Sequence, residues 1–321
     1  MKEECATKFT ILVVTYNSDW IDIKRTLDSA FLQDFKDFDV VIADDGSEEN
    51  HREALVEYFK EKNFDNYSLV LNEENQGTVK NLISGLEAAK GRYVRDFGPG
   101  DLFYNSKSLA RVYTHLQKTN SKGCFGLMRG YYEDDTKKLK TCRYAFPFDI
   151  NAYRHNKRKR IKKNLVVFTD NIVGAVMCYE RDFYLHYLEK ISPYVKYLED
   201  IFPAVAVLDG AYFTLFDDYL IWYECSGGVS TSGNKRFRQL LFKDRDRLNA
   251  YICKEYKDDD LVRLRRKLNK EYRIDSPYKR VLAMSLKAPS VLVWAFRHYI
   301  QVLTGAYDKK EDVGFLHRII Y

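Results

Sequence analysis

The sequence predicts an α/β protein: a doubly wound, mostly parallel sheet flanked by helices, followed by a helical extension at the carboxyl end. Three observations predict it. Residues 9–17 and 40–47 are short apolar runs rich in β-branched residues, each closed by turn-forming polar ones, the signature of strands buried on both faces. The segment between them has the length of one βαβ crossover. From residue 234 onward the chain is charged, aromatic and helical in pattern, without Gly/Pro-rich linkers.

Each element follows in order. The first strand ends in Thr15-Tyr16-Asn17, and Ser18 or Asp19 can cap a helix that places Ile23, Leu27, Ala30 and Phe31 on one face. The second strand ends in Asp44-Asp45-Gly46-Ser47 and leads to a helix through Ala54, Leu55, Tyr58 and Phe59. Residues 67–72 make a third strand. The turn Asn75-Gln76-Gly77 then opens a helix with Val79, Leu82, Ile83, Leu86 and Ala89 inward, and Gly91 is placed to end it as a C′ glycine. Residues 92–97 make a fourth strand, stopped by Gly98-Pro99-Gly100-Asp101. Repeated β–α units of this kind are the pattern of a doubly wound sheet. Residues 102–234 are less regular, with an apolar run at 172–179, a helix start at 180–182 and a helix after Glu199-Asp200. Pro289 suits the start of a helix in the tail, where Leu292, Phe296, Tyr299, Ile300 and Leu303 line one face. The expected division is a sheet domain over 1–234 and an extension over 235–321.

Composition narrows the function. With 321 residues and 45% hydrophobic content the chain can bury a sizeable core, which excludes global disorder. Residues 235–321 carry 21 Lys+Arg against 11 Asp+Glu, leaving 31 against 35 in the rest, so an acidic body carries a basic tail. Such asymmetry points to an anionic surface met by the tail alone. The six cysteines are scattered with no Cys-x-x-Cys pair, so reduced structural thiols are expected rather than a zinc site or disulfide framework. The start Met-Lys-Glu-Glu-Cys leads directly into the first strand, and the longest charge-free stretch of the tail, 288–296, falls short of the roughly 20 residues a bilayer requires. The expected location is the cytoplasm, peripheral on the cytoplasmic face of a membrane.

The chemistry sits at the strand ends. Parallel α/β sheets bind ligands there, and paired carboxylates suit ribose hydroxyls, base N–H groups or a metal–phosphate unit. Five pieces occur in order: Thr15-Tyr16-Asn17, Asp44-Asp45-Gly46-Ser47, Asn75-x-Gly77-x-x-Lys80-Asn81, Gly91-Arg92-Tyr93-Val94 and Glu199-Asp200. Together they resemble the inverting family-2 glycosyltransferases of the GT-A fold, of the type that builds bacterial surface polysaccharide, over residues 8–233.

That resemblance implies roles. Thr15 and Tyr16 would border the base of a nucleotide-sugar donor, most readily a UDP-sugar, Asp44 or Asp45 would bind base or ribose, and Lys80 would be a basic group near the donor. The family places Asp-x-Asp at the end of the fourth strand to hold a divalent ion. This chain has Gly98-Pro99-Gly100-Asp101, leaving Asp101 as the ligand for Mg²⁺ or Mn²⁺, with basic side chains replacing the ion as the other option. Asp96 is expected to point away from the site by strand alternation. Asp200 would be the catalytic base and Glu199 would shape the acceptor site. Residues 223–232 resemble the Ser/Gly-rich segment that closes such domains, suited to a mobile loop.

Two basic features remain, the run at 154–163 and the tail helix, where Trp294 and neighbouring Lys/Arg suit a membrane interface; packing on the body or on a second subunit is the competing reading. The expected activity is transfer of a hexosyl or N-acetylhexosaminyl group to a hydroxyl of a glycan or lipid-diphosphate-linked acceptor. Two rivals share the sheet: a nucleotidyltransferase, which lacks support because Tyr16-Asn17-Ser18-Asp19 stands after the first strand where a Gly-rich basic phosphate loop would be needed, and a non-catalytic nucleotide- or glycan-binding protein. Nucleic acid is not an expected partner; a homodimer is left open.

Overall fold

The computed structural model describes residues 7–226, 235–274 and 276–321. Its first hundred residues run β1 (Thr7–Thr15), α1 (Trp20–Phe31), β2 (Phe38–Asp44), α2 (Arg52–Glu61), β3 (Tyr67–Leu71), α3 (Thr78–Ala88) and β4 (Gly91–Phe97). β1 pairs in parallel with β2 and β4, and β2 with β3, as the alternation of apolar runs and amphipathic helices requires. Every residue of β2 is buried, the expected state of an inner parallel strand covered on both faces.

Beyond β4 the sheet turns mixed. The chain continues through β5 (Leu102–Phe103), α4 (Ser108–Thr119), β6 (Gly123–Glu133), β7 (Leu139–Arg143), α5 (Ile150–Arg154), α6 (Arg158–Lys163), β8 (Met177–Glu180), α7 (Arg181–Ile191), α8 (Pro203–Leu208) and β9 (Thr214–Glu224). The strands join one nine-stranded sheet in the order β3-β2-β1-β4-β8-β6-β9-β5, with β7 on β6. β8 is antiparallel to both β4 and β6, whereas β6 and β9 are parallel. The irregular middle of the sequence thus supplies the second half of the sheet.

Gly91 does not end α3 as a left-handed C′ residue. The helix stops at Ala88 and Gly91 opens β4, where a Cβ would collide with the backbone of Phe9 and Thr10. It is a close-approach glycine, its N–H donating to Thr10 Oγ1 at 2.8 Å.

The extension forms α9 (Lys235–Glu255), α10 (Asp260–Lys267), α11 (Pro277–Lys287), α12 (Ser290–Leu303) and α13 (Gly314–Ile320). It shares the core of the body, contributing buried Val262, Leu268, Val291 and Leu316. Arg265 donates to the carbonyl of Val166 at 2.6 Å, and Tyr307 to that of Pro147 at 2.7 Å. Trp294, expected at a membrane interface, is turned inward. It stacks on Phe148 with ring centroids 5.1 Å apart and donates to Asp170 at 3.1 Å, so its indole N–H is satisfied inside the protein. Much of the basic run at 154–163 is likewise spent internally: Arg154 pairs with Asp217, Arg160 with Asp149 and Lys162 with Asp259.

Candidate active site

The carboxyl ends of β1, β2 and β4 lie side by side because their registers align, Thr15 opposite Asp44 and Leu12 opposite Asp96. A cleft of about 520 Å³ opens over them. Thr15, Tyr16, Asp45, Asp101, Glu199 and Asp200 all line it, so residues far apart in number share one hollow.

Each arrives by its own local logic. Tyr16 follows the end of β1, half exposed, in a loop tied down where Asn17 donates its N–H to Ser47 Oγ at 2.7 Å. Asp45 follows the last residue of β2. Its two oxygens accept the N–H groups of Gln76 and Gly77 at 2.8 and 2.9 Å, which pins the turn before α3 against the cleft. Burial raises its pKa, and those two N–H donors oppose the rise. Gly100 adopts φ +91°, a left-handed conformation that a side chain would strain, and its carbonyl accepts from Tyr131 at 2.5 Å. The turn so held delivers Asp101, whose Oδ1 accepts the Glu224 N–H at 3.0 Å. Asp101 is almost fully buried, and burial pushes its pKa up to about 7.

Glu199 and Asp200 lie in a 3-10 turn, Glu199–Ile201. Burial pushes Asp200 up to about 6, against the opposing pull of Arg245 and a hydrogen bond from the Gly174 N–H. Its Oδ1 is buried with no hydrogen-bond partner among the described residues. Glu199 is raised well above the usual carboxylate range by burial and by its charged neighbour Asp200.

Three residues are placed otherwise than the sequence suggested. Asp44 does not line the cleft. It accepts from Thr15 Oγ1 at 2.8 Å and from the Ser47 N–H and hydroxyl at 2.8 and 2.6 Å, so it braces the two loops while Asp45 faces the hollow. Successive residues of an extended chain point to opposite sides, and here it is Asp45 that faces the hollow. Lys80 is exposed and outside the lining. On α3 it is Thr78, Asn81 and Leu82 that face the cleft, an i, i+3, i+4 set that leaves Lys80 on the other side. Asp96, expected to point away, lines the cleft. β8 pairs with β4 only at Tyr93 and Val94, so the flank of β4 is open from Arg95 onward and Asp96 reaches the hollow there. Burial raises the pKa of Asp96, and its Oδ1 has no hydrogen-bond partner among the described residues.

Other contributors were missed because they come from the extension. Phe237 and Leu241 of α9 line the cleft beside Tyr197 and Leu198. Asp244, on the same helix and buried, accepts the N–H groups of Lys196, Tyr197 and Leu198 through one oxygen. Arg245 follows, with its charge acting on Asp200. No motif marks these residues; an Asp-Arg step in a charged helix reads as a solvated face. The Ser/Gly-rich segment expected to close the cleft lies, over residues 227–232, outside the described residues; Tyr223 and Glu224 before it line the cleft.

The cleft has one sign of charge. Asp19, Asp22, Asp45, Asp96, Asp101, Glu199, Asp200 and Glu224 line it, and no Lys, Arg or His does among the described residues. No group of three or more His, Cys, Asp or Glu among those residues is arranged to cage a metal by itself. Two buried carboxylates, Asp96 and Asp101, nevertheless fit a hard divalent cation whose shell is completed by phosphate oxygens and water; Asp96 Oδ1 accepts no hydrogen bond among the described residues and lies 3.8 Å from the Arg95 guanidinium.

Comparison with known proteins gives a consistent picture. Residues 10–181 match the family described as Glycosyl transferase family 2. An uncharacterized glycosyltransferase of Rickettsia felis is 25% identical over 165 residues, which covers 44% of this chain and 25% of that protein, so the chain matches only a quarter of its relative's length. Among solved structures, S. aureus TarS 1–349 in complex with UDP superposes with a TM-score of 0.55 at 15% identity, covering 96% of this chain and 95% of that one. GalNAc-T7 with UDP, GalNAc and Mn²⁺ gives 0.55 at 15% identity over 95% and 59% of the two chains. The Pyrobaculum calidifontis mannosyltransferase PcManGT with GDP-Man and Mn²⁺ gives 0.51 at 16% over 92% and 87%. At these identities the structural likeness establishes the fold.

Proposed function

Since this chain belongs to glycosyl transferase family 2, we propose that it moves a hexosyl or N-acetylhexosaminyl group from a nucleotide-sugar donor to a hydroxyl of a glycan or lipid-linked acceptor, with inversion. The observation that carries the reading is the convergence of Asp45, Asp101 and Asp200 on one cleft at the strand ends. Thr15 and Tyr16 border the nucleotide base and Asp45 faces the ribose. Asp200 accepts the proton of the acceptor hydroxyl as that oxygen bonds to the anomeric carbon. The bond from that carbon to the nucleotide's phosphate oxygen breaks on the opposite side, and the nucleoside diphosphate departs. A carboxylate whose pKa is pushed up to about 6 is a stronger base than an ordinary one and is still ionised near neutral pH.

The acidity of the cleft supports a metal over basic side chains as the counter-charge to the donor. A cation would offset the repulsion between a diphosphate and a hollow lined by eight acidic residues. Asp96 and Asp101 would hold Mg²⁺ or Mn²⁺, which when bound neutralises charge on the departing diphosphate. UDP in TarS and GalNAc-T7 supports a uridine nucleotide here, while GDP-Man in PcManGT shows that the fold accepts another base.

The test is a panel of UDP-, GDP-, dTDP- and CMP-sugars, with and without Mn²⁺, read first as thermal shift and then as nucleotide release. One donor class should raise the melting temperature in a Mn²⁺-dependent way, since a ligand that binds only the native state stabilises it by mass action. No shift with any donor would overturn the reading.

A further inference from the structure

α12 is apolar on two opposite sides. Its inner side carries Val291 and Trp294, buried against the body, which is all that packing requires. Its outer side carries Leu292, Phe296, Tyr299 and Leu303, an i, i+4, i+7, i+11 stripe, and the adjoining α11 adds Leu282 and Leu286. These six side chains are between 52% and 83% exposed. Scattered exposed apolar residues are ordinary; a row of four along one helix face, with two more on the helix packed beside it, is not, and such faces mark interaction surfaces.

The charge around the stripe selects its occupant. From residue 276 to 307 the chain contains no Asp or Glu, while Lys279, Arg280 and Arg297 fall within it, as does Lys287, which is paired with Glu271. Lys279 and Arg297 are exposed, as is Lys270 just before α11. A second copy pressed onto this face would set two cationic rims against each other. An anionic lipid surface meets both requirements at once, accepting apolar side chains below and lysines and arginines at the headgroups. Among the described residues no helix is long and apolar enough to cross a membrane, so the contact lies in the plane of the surface. We propose that the outer face of α11 and α12 docks this protein onto an anionic bilayer, independently of the transfer chemistry.

The experiment is co-sedimentation of the full chain with vesicles of phosphatidylcholine alone and of phosphatidylcholine mixed equally with phosphatidylglycerol. Wild type should bind the mixed vesicles and release as salt is raised. The double variant Leu286→Glu/Phe296→Glu should lose binding roughly tenfold or more, and Lys279→Glu/Arg297→Glu should lose the preference for anionic lipid. Both pairs are exposed in the wild type, and an unchanged melting temperature and donor-induced shift would show that fold and cleft persist. Equal partition of wild type and variants, or no binding to either vesicle, would overturn the proposal. A concentration-dependent dimer dispersed by Leu286→Glu would also overturn it, assigning the face to a second copy.

Discussion

The carboxylate of Asp244 accepts the backbone N–H of Tyr197 at 2.6 Å, and the same oxygen takes those of Lys196 and Leu198 at 3.0 and 3.2 Å. Three consecutive amides are thus gathered onto one side chain immediately before Glu199 and Asp200. A helix of the extension thereby sets the path of the loop that carries the proposed base. Removing the acceptor by Asp244→Ala should lower stability by about 1–3 kcal/mol, the cost of leaving such donors unsatisfied. It should lower kcat more than it raises the donor KM, and Asp244→Asn should recover part of both losses. Equal effects on every parameter would reduce Asp244 to a stabilising contact. Chemical denaturation and steady-state kinetics measure the two quantities.

Asp200→Asn keeps the shape of the side chain and removes its basicity. Transfer is expected to fall by about 10²–10⁴-fold, the usual range for a general base, with donor affinity held within a few-fold. Turnover near the wild-type rate would refute the assignment of Asp200 as base.

The rate should depend on pH through the same residue. With the Asp200 pKa pushed up to about 6, kcat should decline as pH falls through that value, because the protonated carboxyl cannot accept a proton. The Arg245 guanidinium favours the ionised form, so Arg245→Gln should move the acid limb of the profile to higher pH. A limb that stays in place, or moves down, would disconnect the two residues.

Asp101 links pH to stability in the sense opposite to a salt-bridged aspartate. Its carboxyl binds a proton more tightly folded than unfolded, the pKa rising from 3.8 to about 7, so its contribution to stability is lost as pH rises across that window. Asp101→Asn removes the buried charge. Its melting temperature relative to wild type should therefore be several degrees higher above the window than below it. Mn²⁺ should cancel the advantage by favouring the ionised wild-type carboxylate. Scanning calorimetry at the two pH extremes, with and without the ion, decides it.

A fifth expectation concerns the ion and activity. Chelation with EDTA should stop transfer and added Mn²⁺ restore it, with Asp96→Asn and Asp101→Asn each requiring at least about tenfold more Mn²⁺ for half-maximal rate. Full activity in EDTA would remove the metal from the reading.

Much of the first half of the fold was legible because its signals are local. β1 and β2 announce themselves as apolar β-branched runs, β4 as a short run between Gly91 and the Gly98-Pro99-Gly100 turn, and α1 to α3 by their buried stripes, so the parallel half-sheet and the Thr15, Asp45 and Asp101 strand ends could be read in order. The second half was not, because β6 and β9 sit in an irregular stretch and their pairing, parallel and interrupted by register shifts, joins residues about ninety positions apart. Within the site, alternation along a strand misplaced Asp96, since alternation says that neighbours take opposite faces but not which face the rest of the fold leaves open to the hollow. Lys80 was misplaced for a related reason: a motif names a residue but not the side of the helix it occupies.

The sequence by itself determined the class of fold and the family, since periodicity, turn residues and five ordered motifs are properties of short segments that each carry their own physical preference. Only the tertiary structure decided which carboxylates share the cleft, that α9 of the extension completes it, and that Trp294 faces inward while an apolar stripe faces out. Those outcomes depend on how distant segments pack, where one face of a helix or one end of a strand is buried at the expense of another, and no local pattern encodes that choice.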